Sequence, residues 1–92
     1  MIRTFASPDT EALFHSRVVP RFRNIERVAR RQLLQLHAAT ELASLRVPPG
    51  NQLELLKGDR KGQHSIRIND QWRVCFLWRE DGAHQVEIVD YH

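Results

Sequence analysis

Residues 72–78, WRVCFLW, combine aromatic and β-branched side chains with a two-residue alternation, the pattern of a half-buried strand. Trp72, Val74, Phe76 and Trp78 fall on one side of it, and Arg73, Cys75 and Leu77 on the other. Downstream, REDGA (79–83) carries an Asp-Gly hairpin turn and leads into HQVEIV (84–89), a further strand. Upstream, Asn69-Asp70 turns the chain from QHSIRI (63–68). KGDRKG (57–62), with two glycines, turns it from QLELL (52–56). Connections this short join neighbours antiparallel, so the second half predicts a four-strand meander.

Before residue 47 the apolar period changes from 2 to 3.6. Phe22, Ile25, Val28, Ala29, Leu33 and Leu36 form one helical stripe, predicting a helix over about 21–38 behind Pro20. Ser7 followed by Pro8, with Asp9 and Glu11, predicts the start of a shorter helix reaching about residue 17. MIRTF (1–5) reads as a short strand. TELASLR (40–46) reads as a further helical turn or two before VPPGN (47–51) breaks the chain. The expectation is an α+β fold: two N-terminal helices packed on one face of a small, mainly antiparallel twisted sheet, against Trp72, Val74, Phe76 and Trp78.

The 92 residues suffice for one domain, 1–92. No apolar run approaches membrane-spanning length, and MIRTFASPDTEALF has no signal-peptide stretch. The single cysteine, Cys75, fits a reducing compartment, so a cytoplasmic protein without a membrane partner is expected. Histidines 15, 37, 64, 84 and 92 lack metal-ligand spacing, and no Gly-rich phosphate loop precedes a helix. No metal or cofactor is expected.

The net charge of +3 is unevenly placed. RVVPRFRNIERVARR (17–31) carries six Arg against one Glu, and KGDRKGQHSIR (57–67) is also net positive. On a helical wheel Arg23, Arg27, Arg30 and Arg31 share one arc, with Leu34 out of place inside it. With Arg60, Lys61 and Arg67, this arc is either a solvated surface or the footprint of a polyanion. Arg73, projecting from mid-sheet, either pairs with Glu54 or Glu87 or holds an anion.

The last residues, VDYH (89–92), place an acid, a phenol and an imidazole side by side. With Lys57 and Arg73 they compose a set sufficient for metal-free RNA cleavage. His92 can move a proton near neutral pH. Asp90 and the neighbouring α-carboxylate favour its charged form, as a general acid requires. Arg73 and Lys57 can hold a phosphate, and Tyr91 can stack on a base. Strand parity imposes a condition. With Val86 and Ile88 facing the helices, Asp90 and His92 point away from Arg73 unless the strand ends or bulges near Val89, and such an end or bulge is predicted.

LKGDRKGQHSIRINDQWRVCF with a closing VEIVDYH resembles the HigB branch of the RelE-type bacterial toxins. The resemblance covers nearly the whole chain. It implies a ribosome-dependent endonuclease that cuts messenger RNA in the decoding site, with catalytic positions at Lys57, Arg73, Asp90, Tyr91 and His92. It also implies a cognate helix-turn-helix antitoxin. Where some members have a His, in LHPLKGD, this chain reads LELLKGD. Glu54 stands there, either as the general base or as a partner of Lys57 or Arg73. On this reading the Arg arc and the KGDRK turn contact ribosomal RNA backbone. A gyrase-blocking poison of the same fold, or a small basic RNA-binding module, are the competing readings.

Overall fold

Ser7 caps the first helix through its side chain, which accepts a hydrogen bond from the Thr10 amide at 3.3 Å. In the computed structural model, which describes residues 1–90, helix α1 runs Pro8–Phe14. It stops earlier than the expected residue 17, because Ser16 turns left-handed at φ 65°. The long helix opens as a 3-10 segment, Pro20–Ile25, and continues as α2, Glu26–Ala38. Phe22, Ile25, Ala29, Leu33 and Leu36 are buried, as the stripe requires. Each large apolar side chain so buried contributes about 1.5–3 kcal/mol. The 40–46 region adds a 3-10 turn at Leu42–Arg46, and a second follows at Pro49–Asn51.

Strands β1 (Glu54–Leu55), β2 (His64–Arg67), β3 (Trp72–Arg79) and β4 (Gly82–Asp90) lie in that order, each antiparallel to the next. The meander is therefore as predicted, and the helices cover the predicted face. Val74, Phe76, Val86 and Ile88 are buried against α1 and α2, and Trp72 meets the edge of the Phe22 ring at 5.5 Å. β1 is shorter than 52–56 because Gln52 takes a left-handed conformation, φ 45°, and turns the chain just before it.

The expected strand over 1–5 is reduced to two isolated parallel bridges, Ile2 to Ala83 and Phe5 to Val86. Its partner explains the interruption. Between Leu77↔His84 and Cys75↔Glu87, β4 holds one residue more than β3, so Gln85 bulges at φ 52°. The Gln85 amide leaves the ladder and donates to the Thr4 hydroxyl at 2.8 Å. Further along, the Thr10 hydroxyl accepts from the Ile88 amide at 3.0 Å, so the N-terminal segment and α1 together cover the outer edge of β4.

Candidate active site

On the sheet face turned away from the helices, the register builds two transverse rows. Glu54, Ser65, Cys75 and Glu87 stand opposite one another across β1–β4, and Arg67, Arg73 and Val89 form the next row. Side chains directly opposite in an antiparallel ladder share a face, so both rows belong to one surface. Arg67 and Arg73 are direct cross-strand neighbours of like charge, and each is drawn aside. Arg67 pairs with Asp70.

Arg73 is only 7% exposed. Its Nε donates to the Ser65 hydroxyl at 2.7 Å, and one terminal nitrogen donates to the Gln52 carbonyl at 2.8 Å. These two acceptors orient the guanidinium. Glu87, one of its expected acid partners, instead takes Arg60 at 3.3 Å, and Arg60 also donates to Gln63 at 3.1 Å. Arg60 thus reaches from the 57–62 turn across the face. Cys75 lies beneath this group. Burial above all pushes its thiol up; Arg60 and Arg73 pull it back, while Glu87 and Glu54 push it further.

Glu54 and Lys57 line a common shallow cleft at the β1 edge, and both are exposed. Lys61 is exposed in the adjoining turn. The face thus collects Glu54, Arg60, Arg67 and Arg73 of the expected site, with Lys57 and Lys61 at its margin.

Asp90 is placed differently. Among the described residues no bulge lies near Val89: the ladder continues regularly through Arg73↔Val89 and Trp72↔Asp90, the last described residue of β4. The bulge falls four residues earlier, at Gln85, because Thr4 draws that amide out of the ladder and because Ala83 and Val86 both face the core. Asp90 consequently lies across from Trp72, on the helix side at the strand end, and accepts from Gln71 Nε2 at 3.0 Å. Tyr91 and His92 lie outside the described residues.

The Arg arc belongs to the other side of the molecule. Arg27 and Arg31 on α2, with Arg23 in the 3-10 segment before it, are exposed on the outer surface around Leu34, which is 55% exposed. Arg30 departs from the group. It pairs with Glu26 at 3.0 Å and donates to the carbonyls of Leu13 and Arg17 at 3.1 and 3.3 Å, fastening α2 to the end of α1. The two basic regions therefore flank the sheet on opposite sides rather than forming one surface.

Sequence reasoning did not single out Ser65 or the Gln52 carbonyl. Alternation does put Ser65 on Arg73's face. The Gln52 contact has no sequence signal, because it depends on a left-handed residue in a loop.

Residues 6–92 match the family model of the HigB-like toxins, described as RelE-like toxins of the type II toxin–antitoxin system HigB. The chain belongs to this family. It is thus a toxin of a type II toxin–antitoxin system. Toxin HigB-1 of Vibrio cholerae is 44% identical over 69 residues, covering 75% of this chain and 72% of that protein. Endoribonuclease HigB of Proteus vulgaris is 33% identical over 95 residues, covering both chains fully. Among solved structures, the YoeB–YefM complex from Staphylococcus aureus contains a chain that superposes with a TM-score of 0.61 at 16% identity. That match covers 100% of this HigB-like chain and 98% of the other, and the likeness is one of fold. No helix among the described residues is long and apolar enough to cross a membrane.

Proposed function

We propose that this HigB-like toxin is a ribosome-dependent endoribonuclease that cuts messenger RNA in the decoding site by general acid–base chemistry without a metal. The observation that carries the reading is the nearly buried Arg73 guanidinium, oriented by the Ser65 hydroxyl and the Gln52 carbonyl on the same sheet face as Glu54. A guanidinium fixed in orientation at such a position is suited to stabilising a phosphate's developing charge. The Proteus vulgaris relative's name, an endoribonuclease, supports the same class of activity.

In this scheme a base takes the proton of the ribose 2′-hydroxyl, whose oxygen attacks the adjacent phosphorus. The bond to the 5′-oxygen breaks, an acid protonates that oxygen, and a 2′,3′-cyclic phosphate and a 5′-hydroxyl result. Glu54 is the proposed base, since it shares Arg73's face and its cleft with Lys57. Arg73 and Lys57 hold the phosphate. His92 is the proposed acid and Tyr91 a stacking platform. Asp90, on the helix side of the strand end, orients the residues that follow it.

Arg60, Lys61 and Arg67 flank the substrate, while Arg23, Arg27, Arg30 and Arg31 face ribosomal RNA backbone from the opposite side. Arg30 does so least, given its internal bonds. The ribosome positions the message, so the isolated protein should be a feeble nuclease. A cytoplasmic helix-turn-helix antitoxin is the proposed partner, supported by the family and by the toxin–antitoxin complexes among the structural neighbours.

The test is cleavage of a message under translation by the wild type, His92→Ala and the His92→Ala/Tyr91→Ala pair. Loss of cleavage in both variants is expected. Undiminished ribosome-associated cutting by the double variant, or accumulation of gyrase-linked DNA breaks in its place, refutes the assignment.

A further inference from the structure

A buried amide network beneath the sheet converges on the loop that holds Arg73. Asn51 is 2% exposed, and its side-chain amide donates to Gln35 Oε1 at 3.1 Å and to the carbonyls of Leu45 and Val47 at 3.1 and 3.3 Å. Its Oδ1 accepts from Gln32 Nε2 at 3.4 Å, and the same Gln32 nitrogen donates to the Arg67 carbonyl at 2.6 Å. Gln35 Nε2 adds a bond to the Val47 carbonyl at 2.6 Å. Two α2 residues thus grip both the 45–51 loop and β2 beside Arg73's cross-strand neighbour. Immediately after Asn51, left-handed Gln52 presents the carbonyl that accepts from Arg73.

The arrangement carries two local costs. Gln32 Oε1 is buried without a partner among the described residues. An unsatisfied buried acceptor costs about 1–3 kcal/mol, a cost the network bears while Gln32 Nε2 donates to Asn51 and to the Arg67 carbonyl. Gln52 adds a non-glycine residue in the left-handed region, a conformation concentrated where the surrounding structure enforces it. Both features make sense if what is gained is the location of one carbonyl.

We infer that Asn51 is a positioning residue for Arg73, acting through the Gln52 carbonyl and anchored on α2 by Gln32 and Gln35. The inference rests on the reading of Arg73 as the phosphate-holding group. Asn51 itself contacts neither substrate nor reacting atoms. Its effect appears in the rate of the chemical step, because a misaimed guanidinium weakens transition-state contacts more than binding to the ribosome.

The experiment is a double-mutant cycle read by single-turnover cleavage on programmed ribosomes, with excess toxin to separate rate from affinity. Asn51→Ala should slow the chemical step about tenfold in the wild-type background and less than about twofold in Arg73→Lys, with toxin affinity for the ribosome unchanged. An equal factor in both backgrounds, or no effect in either, overturns the inference: the network is then only scaffold, or irrelevant. Should Asn51→Ala fail to fold, Gln35→Met at its half-buried helix position enters the same cycle, with a smaller loss expected in the same direction. If Arg73→Lys cleaves at the wild-type rate, the reading of Arg73 fails first and takes the inference with it. That outcome is distinct from an additive cycle in which Arg73→Lys is slow.

Discussion

Ser65→Ala removes a single oxygen from the centre of the proposed site. Ser65 is fully buried, and its hydroxyl accepts from Arg73 Nε at 2.7 Å. A hydrogen bond with one charged partner contributes about 1.5–3 kcal/mol, and deleting the acceptor leaves a buried donor of a cation to be satisfied elsewhere. For a domain of this size each kcal/mol moves Tm by about 4–8 °C, so a fall of roughly 6–24 °C is expected. Thermal unfolding followed by circular dichroism measures it. Cleavage should slow as well, since the Nε bond helps fix the guanidinium plane. The Ser65→Ala/Arg73→Met pair should lose less stability than the two single losses added, because replacing both partners removes the unmet donor. A Tm within about 2 °C of wild type together with an unchanged cleavage rate would refute the claim that Ser65 holds Arg73.

Gly82→Ala should be severe: Gly82 has φ +128°, and an added Cβ would lie 2.0 Å from the Met1 carbonyl, which accepts from the Ala83 amide. A loss of about 2–4 kcal/mol is expected from strain and the broken N-terminal bridge, and a melt within about 3 °C of wild type would contradict it. Cys75 should resist iodoacetamide in the folded protein and react once unfolded, because burial pushes its thiol up and keeps it protonated. A raised thiol favours the folded state below the ordinary thiol range and loses that advantage as pH rises through its raised value. Stability should therefore decline in alkali, and Cys75→Ala should flatten the decline in urea titrations. Replacing Arg23, Arg27 and Arg31 together by Ala should reduce the slope of log ribosome affinity against log salt by about two to three; an unchanged slope would remove α2 from the RNA-facing surface.

Much of the fold was legible because period and punctuation are local properties. The alternation at 72–78, the Asp-Gly turn at 81–82 and the apolar stripe from Phe22 to Leu36 each carry their own meaning, and the two-layer arrangement followed from them. The errors arose where a distant segment intervened. Thr4 draws the Gln85 amide out of the ladder, which moves the bulge away from Val89 and breaks the first strand into bridges. The helical wheel grouped Arg30 with its neighbours, and only the packing of α1 against α2 shows it bonded to Leu13 and Arg17.

The same division runs through the site. Residue type and parity alone placed Arg73 opposite the helix-facing aromatics and made Glu54 and Glu87 its nearest acids, because alternation on a strand needs no knowledge of the rest of the chain. Which groups hold that guanidinium was decided by tertiary structure. Glu87 goes to Arg60, and Arg73 takes a serine from β2 and a carbonyl from a left-handed loop residue. Hydrogen-bond partners are chosen by distances of a few tenths of an ångström between segments far apart in sequence, and no pattern of residue types encodes those.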